Sequence, residues 1–317
     1  MPGTEKVQME STDCPVCGSS GGKPVLLARD NLLGHPGSFR VLRCHMCGLF
    51  YLNPRPTLEH IAGYYSGRYA PYLKKPKPLR RRSGLLKWLR SSLYRDSDLR
   101  TRIRKNALDI QPGRILDVGC GAGAMLYRLR EIGWETSGVE IDPGAAQAAK
   151  HLGLDVRTGT LEDAGFPDNH FDLVTAVHVL EHIHRPVDFL KEIWRVMRPG
   201  GMLFIEVPNT RSFNFRVFRN EWFHLDAPRH LCSYSPQSVH HLLRATGFRR
   251  QKLCFASGTT GLRGSINYSR RARELKEYAW INSKLVKRLL GLFTFALDIT
   301  RRGDVIRIDA VKKGNLR

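Results

Sequence analysis

Along residues 114–210 the spacing of apolar positions switches between the strand and the helix period. Arg114-Ile115-Leu116-Asp117-Val118 reads as a buried strand, and Gly119-Cys120-Gly121-Ala122-Gly123 follows as a turn. Met125, Leu126, Leu129 and Ile132 then recur at helical spacing. A second strand is expected to end at Val139-Glu140-Ile141-Asp142, and Phe171–Val177 reads as a fourth. Leu190, Ile193, Trp194 and Met197 form a helix stripe that stops at Arg198-Pro199-Gly200-Gly201, before the strand Met202-Leu203-Phe204-Ile205. Repeated strand–helix alternation predicts an α/β fold with a mostly parallel sheet. Outside this region, residues 84–105 carry a helical stripe of Leu85, Leu86, Trp88, Leu89 and Leu93. Residues 289–297 form an apolar run before a last strand at Val305-Ile306-Arg307-Ile308. That run reads either as a core-packed helix or as an interfacial helix with basic flanks.

Charge adds a second layer to this picture. The chain has 317 residues and a formal charge of +22, unevenly distributed. Residues 1–67 carry +1, 68–105 carry +12, 106–210 carry −6 and 211–317 carry +15. A uniform excess would point to nucleic acid. The observed pattern surrounds an acidic centre with basic flanks suited to an anionic partner, whether phosphate, lipid headgroup or nucleic acid. The first residues lack the apolar core of a signal peptide, and no apolar run approaches the ~20 residues that span a bilayer. A cytoplasmic protein is expected, with peripheral contact at the inner membrane face if the 289–297 helix is interfacial.

The cysteines mark off an N-terminal module. Cys14-Pro-Val-Cys17-Gly and Cys44-His-Met-Cys47-Gly share the CxxCG frame, with 26 residues between the pairs. Two such pairs predict a tetrahedral four-thiolate zinc site on two knuckles; an iron–sulfur cluster or a redox pair are the alternatives. The bland role is a structural clip for a segment too small to build its own core. The sharper one is a zinc module that touches substrate or nucleic acid. The expected organisation is a zinc ribbon over 10–56, a basic, Tyr-rich helical connector over 57–105, and an α/β domain over 106–317. That domain carries a basic extension at about 256–303, before the last strand.

The glycine loop is the candidate for chemistry. Three alternate glycines let backbone approach a ligand where a Cβ would clash. Glu140 lies nineteen residues after Gly121, where a carboxylate can accept hydrogen bonds from both hydroxyls of a ribose. The loop also matches the dinucleotide fingerprint, so it does not decide the cofactor alone. Asp117 two residues before the first glycine, the strand running into His178-Val179-Leu180-Glu181-His182, and the Arg198–Gly201 turn decide it jointly.

With those features, residues 114–210 resemble the class I S-adenosylmethionine-dependent methyltransferases. The two CxxCG frames with Leu49-Phe50-Tyr51-Leu52-Asn53-Pro54-Arg55-Pro56 before this core, and Trp222-Phe223-His224-Leu225-Asp226-Ala227-Pro228-Arg229-His230 after it, resemble a bacterial branch with an N-terminal zinc ribbon. That branch is similar to the zinc-ribbon sugar methyltransferases and, more distantly, to the ubiquinone O-methyltransferase group. The resemblance implies a Rossmann-like seven-stranded domain with S-adenosylmethionine as cofactor and structural zinc on Cys14, Cys17, Cys44 and Cys47. It implies a cofactor site at Asp117, Gly119, Cys120, Gly121, Gly123, Glu140, Ile141, Leu161, Glu162 and His178, with Tyr64 or Tyr65 closing over it.

Methyl transfer to a hydroxyl needs a base for its proton. The resemblance puts a histidine in that role at His230; His182, just beyond the fourth strand at the ligand-binding edge of an α/β sheet, is the second candidate. Related enzymes keep a Glu-His pair where this chain has Arg229-His230, so the carboxylate is not carried over. The expected reaction is O-methylation of a small molecule or a phosphate-linked sugar or glycan precursor. The rivals are an RNA or protein methyltransferase using the zinc ribbon and basic flanks, and a binding protein without turnover. No [DN]PP[YF] tetrad follows the fourth strand and no Pro-Cys nucleophile is present, which lowers methylation of base nitrogen and of cytosine carbon.

Overall fold

The computed structural model describes residues 7–65, 111–274, 278 and 283–313, without the side chains of Arg250, Gln251 and Lys284. The basic run at 74–82 and the expected helix at 84–105 lie outside the described residues. The strands are β1 Met9–Glu10, β2 Lys23–Ala28, β3 Phe39–Arg43, β4 Phe50–Leu52, β5 Arg55–Pro56, β6 Arg114–Val118, β7 Glu135–Glu140, β8 Asp155–Thr158, β9 Phe171–Val177, β10 Met197–Pro208, β11 Cys232–Ser233, β12 Phe248–Ala256 and β13 Val305–Lys312. The helices are α1 Ala124–Arg130, α2 Pro143–Lys150, α3 Pro186–Val196, α4 Phe213–Phe218, α5 Pro236–Ala245, α6 Thr259–Arg271 and α7 Lys284–Ile299.

Seven strands form one sheet in the order β12-β13-β10-β9-β6-β7-β8. The chain divides into two compact units, one of residues 1–66, 177–191 and 205–310, the other of 67–176, 192–204 and 311–317. Strands β10 and β13 each run through both.

In the second unit, β6 pairs in parallel with β7 on one side and β9 on the other, and β7 pairs with β8. Ile115, Leu116, Leu173, Val174 and Ala176 are completely buried, as a strand covered on both faces requires. Leu126 and Leu129 of the predicted stripe are buried on α1. The turn expected at Arg198–Gly201 is absorbed into β10. A Cβ on Gly201 would lie 3.1 Å from the Phe171 carbonyl oxygen, so the backbone already runs against β9 there.

In the first unit, β2, β3 and β4 form an antiparallel sheet with β11 as its fourth strand, in the order β11-β4-β3-β2. Cys232 pairs with Tyr51, and Ser233 with Phe50. The cysteine module is therefore completed by a segment some 180 residues downstream. Strands β1 and β5 pair antiparallel as a separate two-stranded sheet.

Helix α7 has two apolar faces. Gly291, Thr294 and Leu297 are buried as a core helix demands. Leu285, Leu289, Leu292, Phe293 and Ile299 are exposed, and exposed Lys287, Arg288, Arg301 and Arg302 lie near its two ends. Among the described residues no helix is long and apolar enough to cross a membrane.

Candidate functional site

The predicted site residues fall into three groups. The four cysteines come together: Sγ of Cys14 lies 3.5 Å from Sγ of Cys47, and Sγ of Cys17 lies 3.5 Å from that of Cys44. A zinc–thiolate tetrahedron with bonds of ~2.3 Å has an edge of roughly 3.8 Å, so the donor set fits the ion. The two knuckles repeat one geometry. In each, the first cysteine N–H donates to the carbonyl five residues on, and the N–H of the following glycine donates back to that cysteine's carbonyl. Gly18 and Gly48 turn with φ 67° and 73°.

The second group surrounds the loop after β6, the strand at which the sheet order reverses. Open α/β sheets place ligands at that switch point. Gly119, Gly121 and Gly123 all sit at positive φ, 71°, 54° and 73°, a backbone path closed to most L side chains. Gly123 is also the left-handed N-cap of α1. Glu140, at the end of β7, is buried and accepts the Gly121 N–H at Oε2 (2.7 Å) and the Asp142 N–H at Oε1 (2.9 Å). A carboxylate has about four lone-pair sites, so two remain for a ligand.

Asp117 is buried and accepts the Thr175 hydroxyl at 2.7 Å. Burial pushes its carboxyl up to about 7, against the Thr175 hydrogen bond. Ile141 is exposed beside Glu140, a free apolar face, while Leu161 is buried and Glu162 exposed. Cys120 is buried with Sγ against Gly138: a Cβ on Gly138 would meet it at 2.7 Å and Leu126 at 2.8 Å. Gly138 thus lets loop and helix close onto β7. Its only sequence signal was a glycine inside a strand pattern.

The third group lies in the first unit. The segment after β9 places His178, Glu181 and His182 in one turn, and His178 carries φ 56°, a strained value for a non-glycine residue. His178 Nδ1 donates to Glu181 Oε1 at 3.1 Å. His182 and His230 meet edge to face at 4.7 Å between ring centroids. Nδ1 of His182 is 3.0 Å from the Arg229 carbonyl oxygen and 2.8 Å from the Tyr65 hydroxyl. Nδ1 of His230 is 2.8 Å from the His224 carbonyl oxygen. A carbonyl only accepts, so each Nδ1 carries a proton. Burial and the neighbouring His182 push His230 down to about 4. Burial alone would raise Glu181, but the His178 hydrogen bond and the surrounding histidines hold it down to about 2.

Sequence reasoning missed His224, which stacks on His178 at 6.0 Å with a 7° interplanar angle. It also missed the ionic network around Arg229. Arg229 is fully buried and bonds Asp30 Oδ1 and Oδ2 at 2.6 and 3.0 Å, Asp226 Oδ1 at 2.7 Å and the Tyr64 carbonyl at 3.0 Å. Asp226 then offers its Oδ2 3.8 Å from His230 Nε2. Tyr64 packs edge-on against His35 and Phe39 in the core, and Tyr65 is bonded to His182.

Against known proteins, a family model described as a methyltransferase domain matches residues 91–253, just over half of the chain. The chain is 28% identical over 141 residues to a ubiquinone biosynthesis O-methyltransferase of Xanthomonas oryzae pv. oryzae, covering 42% of this chain and 56% of that protein. It is 31% identical over 157 residues to one of Bradyrhizobium sp., covering 48% and 58%. The chain thus spans little more than half the length of these curated relatives. Among solved structures, a SAM-dependent methyltransferase from Archaeoglobus fulgidus aligns at 22% identity and a TM-score of 0.47, covering 72% of this chain and 100% of that one.

Proposed function

The chain belongs to the methyltransferase-domain family, and from that premise we propose that it moves a methyl group from S-adenosylmethionine to a hydroxyl oxygen of a small acceptor. The observation that carries the reading is the Glu140–Gly121 clamp. It leaves a buried carboxylate with lone pairs free for two ribose hydroxyls beside a loop open to a ligand's backbone-close approach. When bound, the cofactor supplies an already activated sulfonium methyl, so the protein has only to position the acceptor and remove its proton. The curated relatives are O-methyltransferases, which supports oxygen as the atom methylated. A phosphate-bearing sugar or glycan precursor is the acceptor class that suits the basic flanks.

In this reading Asp117 faces the sulfonium side, Ile141 and Leu161 flank the adenine, and the acceptor proton is lost with the help of the His182–His230 pair. Two expected results follow. A positive sulfonium favours the ionised form of a carboxyl that titrates at about 7 in the free protein, so binding releases a proton. Affinity for S-adenosylmethionine should rise about tenfold per pH unit from pH 5 to 7 and level off above it. S-adenosylhomocysteine, which lacks the sulfonium charge, should give a shallower slope by calorimetry. Equal slopes would take Asp117 away from the sulfonium.

The second result concerns the histidines. His182→Ala and His230→Ala should each bind S-adenosylmethionine as the wild type does. Each should lower transfer of labelled methyl into the small-molecule fraction of a bacterial extract by about 100-fold or more. Unchanged transfer in both variants would remove the pair from the reaction.

A further inference from the structure

A cavity of about 620 Å3 opens in the first unit, and none of the expected site residues lines it. Its volume falls in the range of ~300–1,000 Å3 typical of small-ligand sites. Three distant segments build it: the turn after β2 with Arg29, Asp30 and Asn31, the turn before Trp222 with Glu221, and the last turn of α6 with Tyr268 and Arg271. The Asn31 side-chain N–H donates to the Asn220 carbonyl at 2.7 Å, which ties the first two segments together. Asp30 at the base is already neutralised by Arg229.

Tyr268 carries the argument. The residue is 7% exposed, and its ring stacks on Phe223 with centroids 5.8 Å apart. Its hydroxyl has no hydrogen-bond partner among the described residues. A nearly buried hydroxyl left unpaired in a cavity wall asks for a ligand or a water. Burial and the nearby Asp226 push this phenol up to about 12, so at neutral pH it keeps its proton and can donate it to an anion. The Arg271 guanidinium lies over the same ring, 5.0 Å from its centroid, and Arg29 is exposed on the first segment. Guanidinium forks match phosphate oxygens in geometry as well as charge. Glu221 and the Asn31 amide oxygen are acceptors, for which a bare phosphate offers little and a sugar hydroxyl a donor.

We propose that this groove binds a phosphate ester with free hydroxyls, of the sugar-phosphate class. The phosphate sits on Arg29, Arg271 and Tyr268, and the hydroxyls face Glu221 and Asn31. The groove shares its aromatic wall with the histidines: Phe223 meets the His224 ring at 5.2 Å, and His224 stacks on His178. A ligand anchored there by its phosphate lies one row of rings from the groups assigned to proton removal. Its use as the handle of the methyl acceptor rests on the methyl-transfer reading; its binding does not.

The test is calorimetric titration of the full chain with glucose 1-phosphate, inorganic phosphate and glucose. Glucose 1-phosphate should bind at least threefold more tightly than inorganic phosphate, and glucose alone should not bind. Arg29→Met and Arg271→Met should each weaken the ester about tenfold or more, and Tyr268→Phe about threefold or more. Lys191→Met, on an exposed face of α3, should leave binding unchanged. Glu221→Gln should bring the affinities for ester and inorganic phosphate together. Arg29 and Arg271 are exposed and Tyr268→Phe keeps the ring, and thermal unfolding checks that each variant folds. Absence of phosphate binding overturns the site, as does binding that the Lys191 variant loses equally. Labelled methyl transfer into the anion-exchange-retained fraction of a bacterial extract should fall along with ester binding. Transfer that persists in a variant unable to bind the ester removes the handle role and leaves the transferase standing. Ester bound by a protein that transfers no methyl group keeps the groove and removes the transferase.

Discussion

Replacing Arg229 with methionine is expected to destabilise the chain by about 3–5 kcal/mol in urea unfolding, because it strands buried charge. The guanidinium has no exposed surface and bonds the buried carboxylate of Asp30 and the partly exposed one of Asp226. Asp30 also accepts the backbone N–H groups of Leu32, Leu33 and His35. Burial would raise the Asp30 carboxyl, yet Arg229 and these donors hold it well below its ordinary value of 3.8. The sign follows: a carboxyl depressed in the folded state contributes stability above its unfolded pKa, and that contribution fades as pH falls below about 4. The wild type should therefore lose its advantage over the variant in acid. Adding Asp30→Asn to Arg229→Met should recover part of the loss, since one orphaned charge goes with it. A single variant within about 0.5 kcal/mol of wild type at pH 7 would show that the triad contributes no net stability.

The second large effect is at Glu140. Glu140→Ala removes the acceptor for the Gly121 and Asp142 N–H groups and, with it, both of the ribose contacts proposed for that carboxylate. Hydrogen bonds to a charged group are worth ~1.5–3 kcal/mol each, so affinity for S-adenosylmethionine should fall by about 100-fold or more. Glu140→Gln keeps one oxygen but turns an amide donor toward a backbone N–H, and should fall between. Calorimetric binding equal to wild type in the alanine variant would remove Glu140 as the ribose anchor. The thermal midpoint of unfolding separates this outcome from a general collapse of the loop.

What could be read from the chain alone was what local rules control. The strand into the Asp117 loop, the Leu126–Leu129 stripe and the two CxxCG knuckles each depend on residues within about ten positions of one another. Their periodicity and turn chemistry carry the information. Hidden from that reading were the features joining distant segments. Asp30 and Arg229 are 199 residues apart, and Trp222 donates its indole N–H to Asp304 across 82. No spacing rule announces such a pair. Gly138 was hidden for another reason: its need for a missing side chain comes from Cys120 and Leu126 pressing on it, which only packing reveals. The histidines stand out in the sequence, but the hydrogen bonds that orient their rings run to the Arg229 and His224 carbonyls, which are backbone atoms without a sequence signature.

The pairing of β11 with β4 also bears on how this architecture can be re-engineered or inherited. A cysteine-bearing head borrowed from a relative would arrive with the wrong partner for Cys232–Ser233 and the wrong counter-ion for Arg229. The natural unit of exchange is discontinuous: the head travels only together with the loop that runs from Trp222 to Tyr234. Chimeras cut between residues 56 and 106 should aggregate through the bared strand edge, while those that move both pieces together should stay monodisperse.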